Sequence, residues 1–172
     1  MSYLEYKHKL ELNKNDYDII NEYCKKIGIK WTASVLDIDS LKFMLEYEKD
    51  IPFIKLPSAA ITNKELIREA NKSKVPIVMS DGMSSWEEVE EAINSIQNLK
   101  GLMHCNSAQP SIYAELDLNV INFYQLKYGK KIPYIGYSGH EAGFYPTILA
   151  YAKGANIIER HVTLDKNIEG PE

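Results

Sequence analysis

Apolar residues recur along this chain with two spacings, one typical of helices and one typical of buried strands. Near the N-terminus, an amphipathic helix from about Asn15 to Gly28 is predicted by positions that recur every three or four residues: Tyr17, Ile20, Tyr23, Cys24 and Ile27. Short apolar runs between polar segments follow this helix at nearly regular intervals, and they predict buried strands. The rest of the chain is therefore expected to alternate between strands and helices.

Six apolar runs predict six strands, at residues 30–35, 52–56, 75–80, 99–105, 132–136 and 155–158. Helices are predicted between them, at about 40–47, 62–70, 85–96, 118–128 and 145–153. Thr62 and Ser85 each begin the S/T-x-x-E sequence of a capping box, which marks a helix N-terminus. The first dozen residues show no pattern that predicts a structure.

Repeated strand–helix units predict an α/β fold, a parallel sheet with right-handed crossover connections. Eight such units would close a TIM barrel, whereas five or six are equally compatible with an open doubly wound sheet. No G-x-G-x-x-G sequence follows a predicted strand, which weighs against a dinucleotide-binding fold. In both architectures ligands bind at the carboxyl ends of the strands, so candidate chemistry is expected there.

Composition mainly argues against several classes of protein, namely nucleic-acid-binding, membrane-spanning and secreted proteins. The 172 residues are 45% apolar and 26% charged with a net charge of −4, which is typical of one globular domain and does not favour a nucleic-acid surface. We expect a cytoplasmic protein with no membrane partner, because no apolar run is long enough to span a bilayer and no signal peptide is visible. Cys24 and Cys105 lack CxxC spacing and predict reduced thiols.

Polar side chains stand at the end of every predicted strand. In chain order they are Ser34 and Asp37, Lys55 and Ser58, Ser80 and Asp81, Asn106 and Ser107, Ser138 and His140, and Arg160 and His161. Any one serine or acid is explained by capping of the helix that follows it. Together, hydroxyls, imidazoles and cations at one edge of a sheet favour a site for an anionic, phosphate-bearing ligand.

Lys55 lies in a strand that is otherwise apolar, which makes it a candidate functional residue. A buried ammonium group is costly unless it is paired, so its side chain is expected to point into the site or to reach solvent along its stem. In the site it could hold a phosphate or carboxylate, or act as a Schiff-base nucleophile. The sequence pattern leaves these roles open.

His140 and His161 end two predicted strands that one helix connects. A strand, a helix and a second strand form a βαβ unit with parallel strands, so both imidazoles are expected at one edge of the sheet. They could share a catalytic Mn²⁺, Fe²⁺ or Zn²⁺ ion with water and substrate as further ligands. His104, inside an apolar strand, is interpreted as a core histidine, and His8 is given no role.

Several stretches together resemble the N-acetylneuraminate (sialic acid) synthase family, in the same order and at the same spacing. They are Ile54-Lys55-Leu56-Pro57-Ser58, Val78-Met79-Ser80-Asp81-Gly82-Met83, Leu102-Met103-His104-Cys105, Gly136-Tyr137-Ser138-Gly139-His140, Ile158-Glu159-Arg160-His161-Val162-Thr163-Leu164-Asp165 and Gly170-Pro171. The resemblance runs through almost the whole chain.

This resemblance implies a TIM-barrel enzyme that condenses phosphoenolpyruvate with N-acetylmannosamine or a related amino sugar. The product is a nonulosonic acid, and phosphate is released by cleavage of a C–O bond. The resemblance implies that His140 and His161 hold a divalent metal, usually Mn²⁺, which would polarise the sugar aldehyde and activate the attacking water. Lys55 joins these two histidines as a predicted catalytic residue.

The resemblance also implies the substrate-binding residues. Positions that match those binding phosphate and carboxylate in the family are Lys55, Ser58, Ser80 and Ser138. Ser34 stands where the family usually has threonine, so a hydroxyl is kept, and Ser107 is included from the loop after the fourth predicted strand. The sequence departs from the family pattern at Ala60, Asp81, Gly139 and Glu172, mostly on the sugar side of the site.

The matched region begins after the family's first two barrel strands and stops before its C-terminal antifreeze-like domain. The expected fold is therefore a partial TIM (β/α)8-type barrel of about six parallel strands with crossover helices, in a single incomplete domain over residues 1–172. Six strands cannot close such a barrel, so two strand edges would be unpaired. We expect a homo-oligomer or a partner chain that completes the barrel.

Three functions remain open at this level. The first is the phosphoenolpyruvate-dependent synthase, and the second is a truncated, non-catalytic barrel that binds metal, phosphate or a partner chain. The third is an aldolase that uses Lys55 as a Schiff base, for which trapping with borohydride and pyruvate is the diagnostic test.

Overall fold

A computed structural model describes residues 2–165. The described residues form two compact units, one from residues 2–31 with 163–165 and one from residues 32–162. The first unit contains the helices α1 (Tyr3–Leu10) and α2 (Lys14–Ile27). Helix α2 confirms the predicted amphipathic helix and ends at Gly28, whose φ of 73° favours glycine. Helix α1 had no counterpart in the sequence prediction.

The second unit alternates strands and helices as the apolar pattern predicts. Its strands are β1 (Ile54–Leu56), β2 (Ile77–Ser80), β3 (Leu99–Cys105), β4 (Tyr134–Gly139) and β5 (Ile157–Arg160). Its helices are α3 (Ile38–Leu45), α4 (Lys64–Ala70), α5 (Trp86–Ser95), α6 (Asn119–Tyr128) and α7 (Tyr145–Ala152), with short 3-10 helices at Ser58–Ala60 and Tyr113–Glu115.

The five strands form one parallel sheet in the order β1-β2-β3-β4-β5. Each strand pairs with the next along the chain, and α4 to α7 each connect one pair. A doubly wound sheet reverses its strand order at a switch point, whereas a barrel adds every strand on the same side. The sequential order therefore favours the barrel architecture over the open sheet.

Residues 30–35, the first predicted strand, do not form a strand. This segment contributes a single parallel bridge between Ser34 and Lys55. The hydroxyl of Thr32 donates to the carbonyl of Phe53 at 2.7 Å, so a side chain binds an acceptor that a longer ladder would use. The sheet accordingly has five strands, with one bridge in the position of the sixth.

Helix caps confirm one of the two predicted capping boxes. Ser85 accepts from the backbone of Glu88 and the Glu88 side chain accepts in return, as predicted. The capping box predicted at Thr62 is wrong, because Asn63 caps α4 and accepts from the backbone of Leu66 at 3.1 Å. Asparagine is among the strongest N-cap residues, so it takes the position that the sequence pattern gave to threonine.

The core of the second unit lies against the sheet, and the side chains of β1 and β2 are buried along their whole length. The largest fully buried side chains come from strands and helices alike: Tyr124, Tyr137, Leu41, Met44, Ile54, Leu56, Leu66, Ile77, Met79, Ile93, Leu102 and Met103. Among the helices of residues 2–165, none has both the length and the apolar character that a membrane span requires.

Candidate active site

The carboxyl ends of β4 and β5 present four polar side chains on one face of the sheet. Side chains alternate between faces along a strand, so Ser138 and His140 share a face, as do Glu159 and His161. Ser138 and Glu159 are register partners across the β4–β5 pair, and the Ser138 hydroxyl donates to Glu159 at 2.7 Å. We call this surface the site face, and the other surface the opposite face.

Lys55 lies buried in β1 and reaches the same face. Its Nζ donates to the Ser80 hydroxyl at 2.8 Å and lies 3.3 Å from a carboxylate oxygen of Glu159. The structure thus brings together three of the predicted substrate-binding residues, since Ser138 also contacts Glu159. The side chain points into the site, one of the two orientations that the sequence left open.

Glu159 is a site residue that the sequence analysis missed. Its carboxylate joins Lys55 to Ser138, although its side chain remains 46% exposed. One signal was available, because Glu159 precedes His161 by two residues in a strand and must share its face. A carboxylate here balances the charge of the lysine, and it can accept a proton or a hydroxyl hydrogen bond.

The Cys105 thiol lies among the hydroxyls of Ser58, Ser138 and Ser107, which we call the hydroxyl cluster. Burial raises the pKa of this thiol, and hydrogen bonds with the three serines oppose that effect. Ser58 also accepts from the backbone N–H of Gly82 at 2.9 Å. A Cβ at Gly82 would lie 2.1 Å from the Ser107 oxygen, so the loop approaches the cluster closely. Cys105 is free, as predicted.

The two histidines lie side by side on the site face. The centroids of the His140 and His161 rings are 5.1 Å apart. Nδ1 of His140 is 2.8 Å from the backbone carbonyl of Asn106 and 3.7 Å from the Cys105 thiol. Because a carbonyl oxygen can only accept, Nδ1 carries the proton in the neutral ring and Nε2 keeps a free lone pair. Metal-binding histidines commonly have this arrangement.

A divalent metal fits this pair as a site with few protein ligands. Within residues 2–165, no group of three or more histidine, cysteine, aspartate or glutamate side chains is placed to hold an ion. His140 and His161 would therefore provide two imidazoles, and water or substrate would complete the coordination. Such an open site suits catalysis better than structural binding. Metal binding by these two histidines, and the identity of the ion as Mn²⁺, both stay predictions.

Three other residues from the strand ends have different roles. Ser34 pairs with Lys55 through the backbone bridge and is exposed. Asp37 caps α3 and accepts from the backbone of Ser40 at 2.7 Å, which is the capping role weighed for such residues. Arg160 turns to the opposite face and pairs with Glu141, so the expectation that it binds an anion with the serines is wrong.

Asp81, one of the positions at which the sequence departs from the family pattern, does not point to the site face. Its side chain is buried on the opposite face and accepts from the Cys105 backbone at 2.8 Å and the Tyr124 hydroxyl at 2.6 Å. Nδ1 of His104 lies 3.0 Å from the same carboxylate, which confirms the interpretation of His104 as a satisfied core histidine.

Three further residues on which the resemblance depends, Gly170, Pro171 and Glu172, lie outside the described residues.

A cavity of about 480 Å³ adjoins the hydroxyl cluster, and Cys105, Asn106 and Ser107 form part of its wall. A cavity of about 570 Å³ lies between α4 and α5, but no predicted site residue lines it. Contacts and chemistry therefore place the candidate site at the strand ends.

Comparison with known proteins identifies relatives along the whole sequence. The NeuB family profile matches residues 1–172. N-acetylneuraminate-9-phosphate synthase of Mus musculus is 35% identical over 174 residues, which are 99% of this chain and 47% of the relative. N,N'-diacetyllegionaminic acid synthase of Campylobacter jejuni is 33% identical over 178 residues, which are 99% of this chain and 52% of the relative. The chain spans about half the length of the curated relatives it matches.

Solved structures of related proteins are similar to this chain along most of its length. N-acetylneuraminic acid synthetase of Leptospira borgpetersenii, crystallised with citrate, superposes with a TM-score of 0.83 at 30% identity, over 90% of this chain and 54% of that chain. A spore coat polysaccharide biosynthesis protein of Bacillus subtilis has a TM-score of 0.85 at 23% identity and shares the fold, over 94% of this chain and 46% of its own. These likenesses confirm the predicted partial barrel, in which the five strands form a curled half-barrel.

Proposed function

Because the chain belongs to the NeuB family, we propose that it forms the metal-binding half of a nonulosonic acid synthase. The reaction is the condensation of phosphoenolpyruvate with N-acetylmannosamine or a related amino sugar. A C–C bond forms between C3 of phosphoenolpyruvate and the sugar aldehyde carbon, whose oxygen takes a proton. Water adds at C2, and phosphate leaves as the C2–O bond breaks.

One observation carries this proposal: the imidazole pair shares the site face of two neighbouring strands with Ser138, an anion-binding residue, and with Glu159, which contacts Lys55. Ser138 precedes His140 by two residues, Glu159 precedes His161 by two residues, and the serine and the glutamate are hydrogen-bonded. A condensation needs an anionic substrate and a polarised aldehyde in contact. Parallel strands that alternate in this way hold both groups at a fixed separation.

On the anion side, Lys55 and the hydroxyls bind phosphoenolpyruvate. The ammonium group of Lys55 provides charge, while Ser58, Ser80 and Ser138 donate to phosphate and carboxylate oxygens. The ammonium group of Lys55 already contacts Ser80 and Glu159. These contacts suit a cation that binds anions, so they favour the synthase over the Schiff-base aldolase.

On the imidazole side, His140 and His161 would hold the divalent ion. When bound, the ion would supply Lewis-acid activation of the aldehyde oxygen and of water. The Asn106 carbonyl keeps His140 in the tautomer that presents Nε2. Glu159, next to the Lys55 ammonium group, is placed to accept a proton or a sugar hydroxyl hydrogen bond.

The half-length match supports a second candidate, a non-catalytic barrel portion that binds metal, phosphate or a partner chain. The described sheet has five strands, and a closed barrel of this type needs eight. A partner chain or a second copy could supply the remaining strands.

Because the relatives are named for different products, several acceptor sugars should be tested in parallel.

The deciding experiment measures phosphate release from phosphoenolpyruvate, with Mn²⁺ and N-acetylmannosamine or related amino sugars. The synthase proposal expects release by the unmodified chain and loss of release in His140→Ala and His161→Ala. His8→Ala is the matched control, because His8 is an exposed histidine. Mn²⁺ binding without phosphate release, beside an active full-length relative, would support the binding-only alternative. Borohydride trapping of a pyruvate imine would support the aldolase.

A further inference from the structure

On the opposite face, away from the two histidines, lies an ion pair between a buried glutamate and a partly buried arginine that the proposed reaction does not involve. The Glu141 side chain is fully buried, and Arg160 Nη1 pairs with its carboxylate. Arg160 Nη2 also donates to the backbone carbonyls of Glu141 at 2.6 Å and Gly143 at 2.8 Å. The Tyr137 hydroxyl donates to the second carboxylate oxygen at 2.7 Å. We call this set the Glu141–Arg160 pair.

The Glu141–Arg160 pair is adjacent in sequence to both predicted metal ligands. Glu141 follows His140, and Arg160 precedes His161. Tyr137, next to Ser138 in β4, points to the opposite face and donates to Glu141, so the pair lies on the face away from the two imidazoles. Its three arginine contacts join β5 to the loop after β4. The separation of the two imidazoles therefore depends on this pair as well as on the sheet.

Gly139 shows that the pair occupies a defined space. A Cβ at Gly139 would lie 2.3 Å from Arg160 Nη1, 2.6 Å from a Tyr137 ring carbon and 2.7 Å from a Glu141 carboxylate oxygen. A side chain at position 139 would have to displace the pair. The contacted atoms lie toward the ends of side chains, so the backbone could keep its course. Gly139 is also one of the positions at which the sequence departs from the family pattern.

We propose that Glu141 and Arg160 are positioning residues that hold His140 and His161 at the separation a shared divalent ion requires. This inference rests on the proposed function, because it assumes that the two histidines bind the ion. Ligands that are held before binding lose less conformational freedom when the ion arrives. Partners behind metal ligands are commonly worth about 10- to 100-fold in metal affinity.

The test is calorimetric titration of the full chain with Mn²⁺, comparing variants that disturb the pair in different ways. Gly139→Ala displaces the pair sterically, and Glu141→Gln with Arg160→Met removes both charges together, so no buried charge is left alone. Both are expected to weaken Mn²⁺ binding about 10- to 100-fold. Arg160→Lys, which keeps the charge but lacks the guanidinium fork, is expected to fall between them and the unmodified chain.

A matched control separates positioning from stability. Tyr137→Phe and Tyr124→Phe each remove one buried hydroxyl that donates to a buried carboxylate. Only Tyr137→Phe is expected to weaken Mn²⁺ binding. Absorption of bound Co²⁺ is expected to change in Gly139→Ala and not in Tyr124→Phe, a difference that lower stability alone would not produce.

The outcomes distinguish the two proposals. Equal Mn²⁺ affinity in folded Gly139→Ala, the double variant and the unmodified chain would overturn the positioning role and leave the metal site standing. Absence of Mn²⁺ binding by the unmodified chain would overturn both. If the double variant fails to fold by circular dichroism, Gly139→Ala and Tyr137→Phe still decide the question.

Discussion

Two buried carboxylates lie on the opposite face of the sheet, one behind each half of the site. Each accepts a hydrogen bond from a buried tyrosine hydroxyl. Asp81 accepts from the Tyr124 hydroxyl and Glu141 accepts from the Tyr137 hydroxyl, at 2.6 and 2.7 Å. Burial, reinforced by the neighbouring carboxylate, raises the pKa of both tyrosines. Each phenol therefore keeps its proton and serves as a donor.

The remaining partners of the two carboxylates differ. Asp81 accepts from the Cys105 backbone N–H and lies 3.0 Å from His104, so it ties β2 to β3 and to α6. Glu141 pairs with the permanent cation of Arg160. Asp81 links two strands and a helix, whereas Glu141 holds the arginine that precedes His161. Removing Asp81 should cost stability, whereas disturbing the Glu141–Arg160 pair should also cost metal affinity.

The largest expected effect on stability comes from Asp81→Ala. This change leaves the Cys105 N–H, the Tyr124 hydroxyl and His104 without their shared acceptor. A buried group that loses its partner costs about 1–3 kcal/mol, so we expect a loss of about 3 kcal/mol in the free energy of unfolding. Urea unfolding measures it. Asp39→Ala is the control, because Asp39 is an exposed acid whose ion pair with Lys42 is at the surface. A loss below about 1 kcal/mol would contradict the role given to Asp81.

Much of this fold could be predicted from the sequence. Strand β3 was predicted with its observed bounds, and α2 and α6 to within a residue or so, because apolar periodicity and Gly28 mark them clearly. Residues 30–35 were predicted incorrectly, because periodicity does not show that the Thr32 hydroxyl takes the Phe53 carbonyl. Competition by side chains for backbone acceptors is a tertiary effect.

The site was predictable where one face of a strand defines it. His140 and His161 could be paired from βαβ topology, and Lys55 from its apolar surroundings. Glu159 could have been placed on the site face from its spacing to His161, whereas its contact with Lys55 and the Glu141–Arg160 pair could not be assigned from the sequence. Their roles depend on which of several adjacent charged residues points to which face, and that requires the register of β4 on β5.

Removal of the two tyrosine hydroxyls tests whether the two buried carboxylates contribute equally to stability. Tyr124→Phe and Tyr137→Phe each delete one hydrogen bond to a buried carboxylate, so we expect a similar loss of about 2 kcal/mol from each. Thermal and urea unfolding of the two variants measure the losses. A large difference between the two losses would show that the tyrosine–carboxylate contacts of Asp81 and Glu141 do not contribute equally to stability. Tyr124→Phe would then no longer be a matched control for Tyr137→Phe in the metal-binding experiment.

Substitution of Gly82 or Gly139 is expected to have a smaller effect, and each change should weaken the binding of one ligand and not the other. A Cβ at Gly82 would push against the Ser107 and Ser58 hydroxyls, and a Cβ at Gly139 against the Glu141–Arg160 pair. We expect Gly82→Ala to weaken phosphoenolpyruvate binding about tenfold, or about 1.4 kcal/mol, with Mn²⁺ binding unchanged. Gly139→Ala should weaken Mn²⁺ binding and leave phosphoenolpyruvate binding in the absence of metal unchanged. Calorimetry with each ligand alone tests both, and loss of both ligands in either variant would show that the two halves are not separable.

The smallest expected effect on stability comes from the exposed carboxylate of Asp37. The backbone N–H of Ser40, followed by its hydroxyl, holds the pKa of Asp37 below its usual 3.8. A lowered pKa means that Asp37 stabilises the fold fully above the unfolded-state pKa and loses this effect as pH falls through the folded-state value. We expect Asp37→Ala to cost about 0.5 kcal/mol at pH 7, because solvent screens an exposed cap, and less at pH 3. Asp37→Asn keeps the cap without the charge, so its stability relative to Asp37→Ala should not change over this range. Urea unfolding at both pH values measures the difference, and a cost that stays constant with pH would assign the effect to the hydrogen bond alone.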